Sequence, residues 1–154
     1  MNFTHPAHQE MLFALIDGQV DFILIGGYAV IYHGYVRTTG DMDVWVKPTN
    51  ENKEKLLNVF RKLRFDPEGV EIIAKMDFSG VVVFHVGVEP ERIDFLSKVQ
   101  GLNFDEAYNN KASLKVKNFQ IPVLRLDDLI TNKLLSGRTK DKADVEYLIK
   151  INQR

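Results

Sequence analysis

The chain has 154 residues, 45% of them apolar and 27% charged, with a formal net charge of −1. That length suits one domain with a real core, and near-neutral charge excludes a global attraction to nucleic acid or membrane. Cysteine is absent, which excludes disulfides and thiolate metal sites.

Met1 to Gln9 is polar and carries no apolar signal segment. No apolar run approaches the roughly 20 residues that span a bilayer. A cytoplasmic protein with no membrane contact is expected.

From Pro6 to Asp17, apolar Met11, Leu12, Leu15 and Ile16 fall at helical spacing, and Gly18 ends the helix. Val20 to Ile25 is a short branched apolar run, expected as a buried strand. Gly26-Gly27 then turns the chain into a short helix from about Tyr28 to His33. Asp41 to Lys47 alternates as a second strand, closed by Pro48.

Thr49 or Asn50 caps a long amphipathic helix running through Leu56, Leu57, Phe60 and Leu63. A further helix is expected over Pro67 to Lys75. Val81 to Val86 and Arg92 to Leu96 read as strands joined by a turn from Gly87 to Glu91. Lys115 to Val116 and Gln120 to Leu124 form one more hairpin. The tail gives two helices, about Leu126 to Ser136 and Lys140 to Ile149, broken at Gly137.

No repeat or linker divides the chain. It is expected to be a single domain over residues 1–154, with a core at about 20–125 and C-terminal helices at about 126–150. The fold class is α/β (α+β): a mixed sheet flanked by helices, with a C-terminal helical hairpin and no double winding.

The chemistry concentrates between Gly26 and Asp43. Residues two apart on a strand share a face, so Asp41 and Asp43 project together. Their repulsion favours a cation between them. Oxygen-only ligands suit Mg²⁺ or Mn²⁺ rather than zinc. Two solvated acids at a strand end are the plain alternative.

Gly26 and Gly27 follow a buried strand and precede a helix, where backbone N–H groups can approach a phosphate; a bare tight turn would look the same. Arg37, just before Asp41, could clamp phosphate oxygens or sit in a surface salt bridge. Asp94, flanked by apolar residues in a strand, needs a partner. It would complete a two-metal site and accept a hydroxyl proton, or else pair with Arg92 or Lys98.

Gly26-Gly27, Ala29, His33-Gly34, Arg37-Thr38, Asp41-Met42-Asp43 and Asp94 together resemble the DNA-polymerase-β-like nucleotidyltransferase superfamily. The tail, Asp127-Asp128-Leu129-Ile130-Thr131-Asn132-Lys133 with Gly137-Arg138-Thr139-Lys140-Asp141 and Asp144, is similar to the bacterial branch around AbiEii-type toxins. The resemblance covers about residues 20 to 150.

It implies that Asp41 and Asp43 hold the metal that carries a nucleoside triphosphate (NTP), with Asp94 completing the second site. It also implies phosphate contacts from Gly26, Gly27, Arg37 and Thr38, and from Lys133, Arg138 and Lys140. The last three could instead lie on a solvated helical hairpin, with Asp141 and Asp144 capping its second helix. A hydroxyl would attack the α-phosphorus and release pyrophosphate.

Gly27 stands where many members carry Ser, as in the toxin-like branch. Larger members add a substrate-binding domain that this sequence lacks. The acceptor, a protein or RNA, would then meet the short tail, a second subunit of a homodimer or a partner protein.

A toxin–antitoxin or defence role is favoured. The alternatives are a non-catalytic NTP-binding module and a structural interaction protein. His33, His85, His5 and His8 lack the partners of a metal or base site. Trp45, Tyr28, Tyr32 and the scattered phenylalanines are expected to pack.

Overall fold

A computed structural model describes residues 5–153; residues 1–4, where the polar N-terminal stretch begins, lie outside the described residues. Thirteen elements follow one another: α1 (Pro6–Asp17), β1 (Phe22–Ile25), α2 (Gly26–Tyr32), β2 (Met42–Val46), α3 (Asn50–Lys62), α4 (Pro67–Ala74), β3 (Val83–Val86), β4 (Ile93–Leu96), α5 (Phe104–Asn109), β5 (Ala112–Val116), β6 (Phe119–Val123), α6 (Leu126–Ser136) and α7 (Thr139–Asn152). The strands form a six-stranded mixed sheet in the order β3-β4-β2-β1-β6-β5. This is the expected fold class. Its central strands β1 and β2 run antiparallel, while β2–β4 and β1–β6 are parallel.

Strand register sorts the side chains into two faces. Leu24, Val44, Phe95 and Phe84 pair in one row across β1, β2, β4 and β3. They lie under α3, whose Phe60 meets the Phe95 ring edge-on at 5.5 Å. One residue along, Ile25, Asp43 and Asp94 form a second row on the opposite face. Trp45 shares that face and is buried against Phe104 of α5, with its indole N–H donating to the Ser97 carbonyl at 3.1 Å.

Most boundaries fall within two residues of those expected. Thr49 is the N-cap of α3, its side chain accepting from Asn52 N, and Gly137 ends α6 in the left-handed region at φ 69°. Three differences carry information. Asp41 stands just ahead of β2 rather than on it, so it is not bound to the strand's alternation. The short helix begins at Gly26, two residues earlier than expected. Helix α5 has less than two turns and no apolar period to reveal it; its signal is Asn103, which caps Glu106 N. Among the described residues, no helix is long and apolar enough to cross a membrane.

Ser97 fastens the start of the edge strand: its buried hydroxyl accepts from Val82 N and donates to the Gly80 carbonyl, both at 2.7 Å. Ser97→Ala should cost about 1–3 kcal/mol in urea unfolding, since it strands a buried amide. A loss under about 0.3 kcal/mol would show that these bonds are dispensable.

Candidate active site

Register decides which side chains meet. Antiparallel pairing sets Asp43 beside Ile25, so the next residue, Gly26, lies against the Asp43 carboxylate. Parallel pairing sets Asp94 directly beside Asp43. Gly26 adopts φ +65°, and a Cβ there would run into Asp43 Oδ2, with Asp43 Cγ only 3.0 Å away. A Cβ at Gly27 would strike the Thr39 hydroxyl and come within 3.3 Å of an Arg37 guanidinium nitrogen. Gly26 is therefore favoured by its left-handed turn as well as by close approach, and Gly27 by close approach alone.

These groups face a cavity of about 650 Å³. Every residue singled out from the sequence lines it: Gly26, Gly27, Arg37, Thr38, Asp41, Asp43, Asp94, Lys133, Arg138 and Lys140. Asp41, Asp43 and Asp94 lie on its sheet side, and Lys133, Arg138 and Lys140 on the side of α6 and α7.

Burial first, and then the carboxylates of Asp94 and Asp41, push Asp43 up to about 6, while Lys133 pulls the other way. Asp41 Oδ1 is buried with no hydrogen-bond partner. Arg92 Nε pairs with Asp94 Oδ1 at 2.9 Å, the salt bridge weighed for Asp94 from the sequence.

On the far side, Lys133 is 6% exposed and bridges Asp141 Oδ1 and Asp144 Oδ2, each at 3.0 Å. Arg37 reaches the same Asp144 oxygen at 3.5 Å. Asp141 also takes Arg138 Nε at 2.7 Å and the Ser136 hydroxyl. Burial pushes Asp141 up, but hydrogen bonds from Ser136, Lys133 and Arg138 outweigh it and bring Asp141 down to about 2. Asp141 and Asp144 are thus counter-charges of the site's central lysine, not helix caps. Lys140 is exposed and among the described residues makes no ion pair.

The sequence did not mark Thr39 or Glu89, which also line the cavity, and it named Lys98 only as a possible partner of Asp94 and Asn132 only within the tail motif, although both line the cavity too. Glu89 sits in the β3–β4 turn beside Asp41, and its hydrogen bond with Asp41 holds its carboxyl above the ordinary range. Nothing in its Val-Glu-Pro-Glu neighbourhood points to a site. Lys133 and Asp141 did have a signal: opposite charges on facing helices either side of Gly137.

Residues 8–153 match a family model described as "Nucleotidyltransferase of unknown function (DUF6036)". The chain belongs to this nucleotidyltransferase family, and it is an enzyme of the nucleotidyltransferase class. No curated protein matches the sequence.

Three solved structures share the family's fold. The lincosamide antibiotic adenylyltransferase LnuA, with lincomycin bound, is 15% identical at a TM-score of 0.57 and covers 99% of this chain and 100% of its own. ANT(2'')-Ia in complex with adenylyl-2''-tobramycin is 12% identical at 0.57, covering 95% and 87%. A Thermotoga maritima protein provisionally described as a nucleotidyltransferase is 11% identical at 0.57, covering 94% and 91%.

The residues of this nucleotidyltransferase fit a divalent cation. The Asp41–Asp43–Asp94 group is short of positive charge, and one buried carboxylate oxygen lacks any partner. Among the described residues no three acids or histidines close into a complete cage. Mg²⁺ is one cation that such carboxylates could hold, since it takes one or two of them and fills the rest of its shell with phosphate oxygens and water.

Two outcomes follow from these charges. Asp43 binds its proton more tightly folded than unfolded, so its contribution favours folding below pH 4 and is lost as pH rises through about 6. Asp43→Asn should therefore stabilise the metal-free protein by on the order of 2 kcal/mol at pH 8 and by little at pH 4. Thermal melts in chelator across that range check it; a benefit independent of pH would contradict the repulsion. Lys133→Met removes the one cation shared by two buried carboxylates, leaving Asp141 to Arg138 and Ser136 and Asp144 to Arg37 alone, and should cost about 3 kcal/mol in denaturant unfolding. Arg138→Met, at a 74% exposed side chain, should cost under about 1 kcal/mol.

Proposed function

We propose that this nucleotidyltransferase moves a nucleoside monophosphate from an NTP to a hydroxyl on a protein or RNA, with Mg²⁺ or Mn²⁺ as cofactor. One observation carries the reading: Asp43 and Asp94 stand side by side next to Gly26, facing cations across the same cavity. In this scheme Asp41 and Asp43 would hold the ion, with Asp94, which Arg92 pairs at 2.9 Å, as the third carboxylate. The ion would neutralise charge on the triphosphate and on departing pyrophosphate.

The remaining work belongs to positioning. Gly26 and Gly27 present backbone N–H groups to phosphate oxygens, with Arg37 and Thr38 beside them. Lys133, Arg138 and Lys140 supply positive charge from the tail. Asp94 takes the proton of the acceptor hydroxyl as its oxygen bonds to the α-phosphorus. The bond from that phosphorus to the β-phosphate oxygen then breaks, and pyrophosphate leaves.

A toxin–antitoxin or defence role of the AbiEii-like kind is the biological setting we favour, with a partner protein or homodimer completing the acceptor side. A small-molecule hydroxyl is the second reading. It is favoured by the end-to-end match with LnuA, whose structure holds lincomycin.

The test incubates the protein with each NTP labelled at the α-phosphate, Mg²⁺ or Mn²⁺, and cell protein, cell RNA or hydroxylated small molecules including lincomycin. Label should move to one acceptor class, and Asp41→Ala/Asp43→Ala should lower the rate at least about 10³-fold. Metal-dependent NTP binding without transfer to anything would leave the non-catalytic module as the better reading. Neither binding nor transfer would leave the structural one.

A further inference from the structure

A second cavity, mainly apolar, lies on the sheet face opposite the candidate active site. Between α1 and α4, over the β3 end of the sheet, runs a groove of about 660 Å³. Phe84 and Val86 of β3 and Ile93 of β4 form its floor, and Leu63, Phe65 and Met76 lie half-buried along it. Ile72, 63% exposed, stands at its lip. Gly69 on α4 has no atom within 4 Å of where a Cβ would be, so the groove stays open beside that helix.

The rim is charged with one sign. Glu10, Asp66 and Glu91 line it and are exposed, and no lysine or arginine does. The sheet's two edges also differ. Strand β5 carries Lys115 and is bracketed by Lys111 and Lys117, a common guard against edge pairing. The β3 edge has no such guard and exposes Val81 and Val83 at 80% and 63%.

We propose that this groove is the docking site for a basic amphipathic helix of a partner protein. Two flanking helices over a sheet leave room for one more short helix in the same layer. Its apolar side chains at i, i+3, i+4 and i+7 would fill the floor. Its lysines and arginines would meet Glu10, Asp66 and Glu91, which select against acidic partners by like-charge repulsion. The β3–β4 turn joins this groove to the catalytic side: Gly87 and Glu91 line the groove, whereas Glu89 lines the cavity. An occupant therefore rests against the turn that carries a cavity residue, although docking itself requires no catalysis.

The experiment uses the whole chain and two designed peptides with the same leucine pattern, one otherwise rich in lysine and one in glutamate. Binding is read by fluorescence anisotropy and by chemical-shift mapping. The Leu/Lys peptide should bind at least about tenfold more tightly than the Leu/Glu peptide and shift Val70, Ile73, Phe84 and Val86. Ile72→Asp should weaken binding by about tenfold or more, as should the charge reversal Glu10→Lys/Glu91→Lys. Both changes lie on exposed positions and should leave the fold intact, which their melting curves verify. Asp41→Asn/Asp43→Asn should leave peptide binding unchanged, so that failure here is distinct from failure of the nucleotidyl-transfer reading. Equal binding of both peptides, binding that survives the groove variants, or no binding would each overturn the proposal. So would concentration-dependent dimerisation through the same residues, or octylamine binding there in place of the peptide.

Discussion

Asp43 and Asp94 are held side by side by the parallel pairing of β2 and β4, and the repulsion between them has to be balanced from outside the sheet. Strand hydrogen bonding cannot let them drift apart, because a slip of one residue would turn Val44 and Phe95 out of the core. Much of the surrounding architecture answers this constraint. Gly26 brings backbone rather than a side chain against Asp43, Arg92 neutralises Asp94 from the adjoining turn, and Lys133 leans in from α6. The crowding of these carboxylates and the positive charge gathered around them are two aspects of one packing arrangement.

The tail shows the same logic with the opposite sign. A buried lysine is expensive unless its charge is matched, and Lys133 is matched twice, by Asp141 and Asp144. Those acids lie three residues apart on α7, on the face that carries Val145 and Leu148 into the core. The α6–α7 hairpin is thus clamped by ions at its cavity end and by apolar contact farther along. Arg37 ties the loop before β2 into the same cluster through Asp144. The cation side of the cavity is held as firmly as the acid side, by side chains from three separate segments.

How much of this was legible in the sequence follows from the range of each interaction. Helices α1, α3 and α6 announce themselves through local spacing and stops such as Gly18 and Gly137, and Asp41, Asp43 and Asp94 through charge in apolar strands. Local pattern also yields the mixed sheet, because short branched runs alternate with helices in no regular order. Strand order and the Asp43–Asp94 register depend on which strands meet, which spacing along the chain does not encode. The Lys133–Asp141–Asp144 cluster is half legible: its residues stand out, but their burial depends on the turn at Gly137 folding α7 back onto α6. Glu89 leaves no trace, since an acid in a Gly/Pro turn is ordinary until that turn is laid against Asp41.

The glycine at 27 shows why a motif position is better understood through its neighbours than through its letter. Many members of the superfamily that the sequence resembles carry Ser there, and Gly27 lacks that hydroxyl. In this chain the Thr39 side chain occupies the space that a Cβ at 27 would need. Its hydroxyl is held by the Asp41 carbonyl at 3.3 Å. A hydroxyl is therefore present beside Gly27, carried on the loop that also brings Arg37 and Asp41 into the cavity. A Ser at 27 would collide with the Thr39 side chain, so the two positions are coupled by packing and neither residue can be judged alone.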